Sequence, residues 1–339
     1  MEFGLDTFGD LTAGPDGRLQ SQAQVIRDVI EEAALADELG IEAFGVGEHH
    51  RPDFAISAPE VVLGAIAGRT KRIVLGSAVT VLSSDDPVRV FERFSSLNAA
   101  SSGRAEITVG RGSFTESFPL FGYDLSNYEQ LFEEKLDLFV ALIRNETVTW
   151  QGTTRTPLKN QLVFPPLEHG SLKTWIGVGG SPESVVRAAH YDLPMMLAII
   201  GGDPRRFLPY VDLYKRAFEQ MGRPVKPIGL HSHGYVADSD TQAREELFPH
   251  HKDMRDRIGA ERGWPPVTRA HFDQEIDGGS LYFGSPETVA RKLAATAKAL
   301  GIARFDMKYS SGTLPHDKLM RSIELYGTKV IPMVREMVG

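Results

Sequence analysis

The run Glu48-His49-His50-Arg51 sets two imidazoles between a carboxylate and a guanidinium, directly after the apolar stretch Ile41 to Gly47. Imidazole gains and loses a proton near neutral pH, so His49 is a candidate for proton exchange or for stabilising charge on a reacting group. Adjacent side chains on an extended segment point in different directions, which leaves His50 to orient polar groups or to serve structure instead. Arg111 lies between Gly110 and Gly112. Its rigid donor fork suits phosphate oxygens and the glycines permit close backbone approach, although a solvated surface arginine explains the same residues. A third group, Gly179-Gly180-Ser181-Pro182 with Ser184, falls where an apolar run gives way to a helical pattern. Free N–H groups, a serine hydroxyl and the helix dipole suit a dianion there. The same residues make an ordinary helix start, with Ser181 as N-cap and Pro182 at the first helical position, and the two readings are compatible.

Asp6 and Glu48 are secondary candidates. Either carboxylate would orient His49 or shape the polar end of a site, and either would serve equally as a loop cap or a surface ion-pair partner. His231 and His233 share one face of a strand by their spacing, which places them together without requiring catalysis. No metal site is expected, because the His-Glu-x-x-His helix pattern is absent and adjacent histidines define no coordination geometry.

A scaffold must bring these distant segments to one opening. Strand patterns at Phe3 to Phe8, Ile41 to Gly47, Arg72 to Leu82, Ala105 to Gly110, Lys173 to Val178, Leu193 to Ile200, Ile228 to Ala237 and Arg304 to Tyr309 alternate with helical patterns. The helical stretch from Ser21 repeats apolar residues at Val25, Val29, Ala33, Ala36 and Leu39, and Gly40 supplies its stop. Eight strands separated mainly by helices predict one α/β domain over residues 1–339, a TIM (β/α)8 barrel with loop extensions. The nearly continuous apolar run from Arg72 to Leu82 fits a strand buried on both faces. Residues 147–170 or thereabouts, rich in Thr, Gly and β-formers, predict an inserted extended excursion. The poorly periodic stretch 259–284 reads as a loop or active-site cover, where Trp264, Phe272 and Tyr282 either affect specificity or pack. A doubly wound open sheet ranks second, because no Gly-x-Gly-x-x-Gly follows the first strand.

A formal charge of −8 argues against a surface built to neutralise nucleic-acid phosphates, while allowing one local phosphate site. No run reaches the ~18 apolar residues of a membrane span, and Met1 to Asp10 lacks the blocks of a secretory signal. The absence of cysteine excludes disulfides, thiolate nucleophiles and thiolate-bound metals, and a cytoplasmic location is expected.

Several ordered segments resemble the bacterial-luciferase-like flavin-dependent monooxygenases: Gly47-Glu48-His49-His50; Gly76 to Leu82 followed by Asp86-Pro87-Val88-Arg89; Gly103-Arg104 through Gly112; Asp192 to Met195; and Phe283 to Glu287. They span nearly the whole chain. The resemblance implies a barrel that binds FMN noncovalently, takes it already reduced by a separate NAD(P)H-dependent flavin reductase, and often forms a homodimer. With molecular oxygen it implies oxidation of a small organic substrate through a C4a-peroxyflavin. It gives Arg111, Ser113, Gly179, Gly180, Ser181 and Ser184 to the cofactor, chiefly its phosphate, and puts a non-proline cis peptide at Ala78-Val79 against the flavin ring. His49 becomes the foremost catalytic candidate, with His50, Glu48 and Asp6 beside it. Relatives that use deazaflavin F420 make an F420-dependent hydride-transfer oxidoreductase the alternative, and a noncatalytic flavin-binding barrel is the other. Gly110 stands where the luciferases carry a reactive cysteine, and Ser83 replaces an expected proline, so light emission is not implied.

Overall fold

A computed structural model describes residues 1–112, 114–168 and 171–339. The chain runs β1 (Glu2–Thr7), α1 (Gln22–Glu38), β2 (Ala43–Val46), α2 (Pro59–Ala67), β3 (Val74–Ser77), β4 (Thr80–Val81), α3 (Pro87–Ala100), β5 (Glu106–Gly110), α4 (Ser117–Phe121), α5 (Tyr128–Arg144), β6 (Thr147–Trp150) and β7 (Leu158–Leu162). It continues with β8 (Lys173–Val178), α6 (Pro182–His190), β9 (Met195–Ala198), α7 (Leu208–Gln220), β10 (Ile228–Val236), α8 (Asp240–Arg262), α9 (Arg269–Asp277), β11 (Tyr282–Gly284), α10 (Pro286–Leu300), β12 (Arg304–Lys308), α11 (His316–Leu325) and α12 (Ile331–Val338).

Local chemistry sets several of the helix boundaries. Ser21, Asp86, Ser181 and Ser285 each cap a helix by accepting a backbone N–H, and Pro87, Pro182 and Pro286 occupy the first helical position where no donor is missed. Gly301 ends α10 at a positive φ of 65°, a conformation that suits glycine.

The sheet is parallel and nearly closed. β12 pairs β1, β1 pairs β2, and β2 pairs β3, while β5, β8, β9, β10 and β12 follow in order on the other side. β4 pairs β5, and a bridge from Leu75 to Ala105 joins β3 to the same strand. The expected third strand is thus two pieces of one barrel stave, broken at Ala78-Val79. The expected excursion is an antiparallel β6–β7 hairpin outside the ring. The stretch expected as a loop from 259 to 284 instead contains the last turn of α8, all of α9 and β11, and Phe272 and Tyr282 pack in the core.

Alternation along the strands separates two environments. Phe3, Leu5, Phe44, Leu75, Ile107, Ile176, Leu197, Leu230, Phe305 and Met307 are fully buried in the apolar core. The alternate positions, including Asp6, Gly45, Gly76, Glu106, Arg304, Asp306 and Lys308, line the barrel cavity. The interior is polar and also tight. A Cβ on Gly4 would lie 2.1 Å from Asp306 Oδ1, and one on Gly45 would lie 1.9 Å from Asp6 Oδ1. In each case the glycine sits in register opposite the carboxylate that fills its space.

Candidate active site

The cavity, about 400 Å³, is lined by strand ends, by the loops after β2 and β5, and by the second half of α8. That volume suits a small-molecule site. The Ala78-Val79 peptide on its wall is cis, as the resemblance implied. A Cβ at Gly110 would lie 2.9 Å from Val79 Cγ2, and one at Gly177 would lie 3.5 Å from Val79 Cγ1. Val79 therefore occupies the space that a side chain at position 110 would need, which gives the missing cysteine a steric counterpart.

One end of the cavity gathers cations and helix N–H groups. Arg111, just beyond β5, lines the cavity, pairs with Glu129 and places its guanidinium 5.2 Å from the Tyr128 ring centroid. Tyr128 Oη donates to the carbonyls of Arg111 and Gly112 at 3.3 and 3.1 Å, holding that turn. Across from it Ser181 caps α6: its Oγ accepts from Ser184 N at 3.3 Å and lies 2.8 Å from Ser184 Oγ. Gly179 and Ser184 line the cavity, and open space surrounds the missing Cβ of Gly179. Gly180 and Ser181 do not line it, and Ser113 lies outside the described residues. Sequence reasoning missed Arg187, a buried residue that pairs with Glu133, approaches Glu129 to 3.8 Å and donates to Ser184 Oγ at 3.5 Å. Its one signal was its place a helical turn beyond Ser184.

His49 sits in an aromatic box. Its ring centroid is 4.4 Å from Phe8, 4.4 Å from Phe54 and 5.3 Å from Phe114, and its buried Nδ1 has no hydrogen-bond partner among the described residues. Burial pushes the imidazole down to about 3, Asp10 opposing and Lys308 assisting. Burial therefore favours the neutral imidazole of His49 near pH 7. Neither secondary carboxylate orients it. Glu48 instead holds His50 Nε2 at 2.9 Å and accepts the Val81 N–H at 3.0 Å, tying the loop after β2 to the interrupted third stave.

Asp6 turns to a different histidine. Its Oδ2 is 2.6 Å from His231 Nδ1, and His231 stacks on Phe8 with centroids 6.0 Å apart. Beneath this pair Arg304 reaches Glu106 at 2.5 Å and Asp306 at 2.7 Å. Burial pushes Asp306 up, with Arg304 opposing and Asp6 adding to the rise. Lys308 Nζ is held at 2.6 Å by Asp10, whose other oxygen accepts the Gly312 N–H at 3.1 Å. His233 also lines the cavity, and burial lowers it well below its ordinary value. The charged positions of β12 were legible only as an alternation in Arg304-Phe305-Asp306-Met307-Lys308, without a sign of which face was inward.

The remaining wall is Met254, Arg255, Ile258 and Arg262 of α8 with Trp264 beyond it. Arg51 fastens this wall to the rest. It pairs with Asp53 at 3.2 Å, with Glu261 at 2.6 Å and with Glu116, and it lies 4.8 Å from the Phe114 centroid. Among the described residues no helix is long and apolar enough to cross a membrane.

A family model for luciferase-like monooxygenases matches residues 1–304. The 4-hydroxyprotoasukamycin monooxygenase of Streptomyces nodosus subsp. asukaensis is 27% identical over 320 residues, 89% of this chain and 85% of that protein. The crystal structure of a monooxygenase from Streptomyces bottropensis superimposes with a TM-score of 0.84 at 22% identity, covering 98% of this chain and 99% of the other. The oxygenating constituent of 3,6-diketocamphane monooxygenase from Pseudomonas putida, solved in complex with FMN, gives a TM-score of 0.80 at 18% identity, with 98% of each chain covered. At those identities the two structural likenesses are likenesses of fold.

Proposed function

The chain belongs to the luciferase-like monooxygenase family, and from that premise we propose that it is an FMN-dependent monooxygenase. In this reading it takes FMN already reduced by a separate NAD(P)H-dependent reductase, uses molecular oxygen to oxidise a small organic substrate, and works as a homodimer. The observation that carries the reading is the meeting of Arg111, the Ser181–Ser184 helix start and the cis Ala78-Val79 peptide around one cavity.

The residues fit the cofactor. Arg111, Ser184 and the first N–H groups of α6 would hold the phosphate, since a guanidinium fork and a helix N-terminus both favour an anion. Val79, packed against the bare backbone of Gly110 and Gly177, gives the cavity an apolar wall against which a ring system could lie. When bound and reduced, FMN supplies the electrons that let dioxygen be divided between substrate and water. Phe8, Phe54 and Phe114 exclude water around His49. His49, held neutral, acts as a fixed hydrogen-bonding group rather than by becoming imidazolium. The Asp6 carboxylate, 2.6 Å from His231 Nδ1, fixes the orientation of that ring at the cavity wall. Arg51 keeps the α8 wall closed over the site.

Anaerobic titration of the purified protein with reduced FMN, and in parallel with reduced F420, tests the reading. Saturable binding of FMN, followed by oxygen-dependent reoxidation of the bound cofactor, is the expected result. Binding of F420 with none of FMN would overturn it.

A further inference from the structure

Cations that line the cavity are, with one exception, tied to carboxylates or engaged elsewhere. Arg111 holds Glu129, Arg304 holds Glu106 and Asp306, and Lys308 holds Asp10. Arg255 is different. Among the described residues it makes no hydrogen bond or ion pair, and its guanidinium instead lies 4.5 Å from the Trp264 centroid. Arg262 approaches the same indole at 5.1 Å and the Phe114 ring at 4.7 Å. Met254 and Ile258 on the same helix, with Trp264 and Phe114, supply apolar wall beside the two guanidinium groups. Burial and the charge of Arg262 both lower Arg255, with only partial relief from Glu275 and Asp256. Those carboxylates are engaged by other groups, Asp256 with Lys252 and the Val267 N–H, and Glu275 with the Gly202 N–H. A half-buried guanidinium without a carboxylate is costly, and an incoming anion would relieve that cost while gaining a bidentate contact.

We propose that Arg255, beside Arg262 and the Trp264 indole, forms the anion-recognising end of the substrate pocket, and that the substrate is an organic acid with an apolar or aromatic body. The inference rests on the flavin reading above, because it takes Arg111 and the α6 start to be occupied by the FMN phosphate. An acid placed here would set its charge on Arg255 and its apolar body against Trp264 and Phe114. Carboxylate and ionised enol or phenol share this recognition chemistry.

Calorimetric binding of benzoate, 1-naphthoate and decanoate, each paired with its neutral amide, to flavin-loaded and flavin-free protein tests the proposal. At least one acid is expected to bind about tenfold or more tightly than its amide. Arg255→Met should abolish that preference while leaving FMN affinity unchanged, and Arg255→Lys should retain part of it. Thermal melts of both variants confirm that the comparison is between folded proteins. No acid preference anywhere in the panel, or equal weakening of acid and amide by Arg255→Met, would overturn the proposal. Loss of FMN binding in Arg255→Met with acid binding intact would also overturn it, by placing the flavin phosphate at Arg255. Failure of the flavin reading has a separate signature, since FMN would then fail to bind the wild type whatever the acids do.

Discussion

Gly45 and Asp6 face each other across β1 and β2 in register, and the carboxylate of one occupies the space of the side chain that the other lacks. The Asp6–His231 hydrogen bond therefore depends on a glycine on the neighbouring strand. Gly45→Ala must displace Asp6 Oδ1 from a Cβ that would lie 1.9 Å away, and a stability loss of about 1–3 kcal/mol is expected. Gly64→Ala is the control: it lies exposed within α2 with open space around its missing Cβ, and a gain of about 0.5–1 kcal/mol is expected. Urea unfolding of both variants checks the pair, and a neutral Gly45→Ala would show that the carboxylate has room to move.

His49 and His251 are both pushed down to about 3, His251 chiefly by burial with Arg255 assisting. Below the ordinary value of 6.5 the unfolded chain takes up protons that the folded chain refuses, so stability falls as pH drops from 6.5 toward 3. Each such group contributes a slope of about 1.4 kcal/mol per pH unit. Asp306, raised by burial, works with the opposite sign, so the useful quantity is the difference between wild type and variant. His251→Gln should flatten the acid limb of stability against pH by about one proton's worth. Denaturant titrations at a series of pH values measure it, and an unchanged slope would place a solvated, ordinary histidine at 251.

A neutral His49 also sets an expectation for catalysis. His49→Asn keeps polarity without titration, so it should alter the rate at which bound, reduced FMN reacts with oxygen, with reduced-FMN affinity essentially unchanged. It should leave no missing ionisation between pH 5 and 8 relative to wild type. Rapid-mixing absorbance across that pH range checks both parts. A kinetic ionisation near 6.5 that vanishes in the variant would contradict the aromatic-box account.

Arg51 joins the loop after β2 to residue 261 at the end of α8, which are 210 residues apart in sequence. Arg51→Met removes a largely buried guanidinium that serves three carboxylates, and a loss of about 1–3 kcal/mol is expected. Hydrogen exchange should quicken between Met254 and Trp264 more than in the strands. Uniform exchange across the barrel would show that α8 is held by packing alone.

Local rules carried much of the fold. Helix spacing in α1 and the Ser-Pro or Asp-Pro starts of α3, α6 and α10 were legible because a cap and its first turn are adjacent in sequence. The stretch 259–284 read as a loop because α9 buries only Phe272 and Ile276, too few residues to establish a period. Arg111 and the α6 start were legible as phosphate chemistry because glycine and serine flank them. The partners of Asp6 and Arg51 were not, since His231 and Glu261 come from elements more than 200 residues away. Arg255 was concealed in the charged run Lys252 to Arg257, where sequence does not say which residue faces inward. The break at Ala78-Val79 came from family resemblance alone, because composition does not encode a cis bond.

The most direct measurement is a two-by-two titration of wild type and Arg111→Ala with reduced FMN and reduced riboflavin, which lacks the phosphate. Arg111 lines the cavity beside the α6 start and is assigned to the phosphate alone. The variant should therefore lose about 10- to 100-fold in FMN affinity, as expected for a charge-assisted contact of about 1.5–3 kcal/mol, and almost nothing for riboflavin. Equal losses for the two flavins, in a variant that melts like the wild type, would contradict the placement of the phosphate and with it the orientation of the cofactor in this barrel.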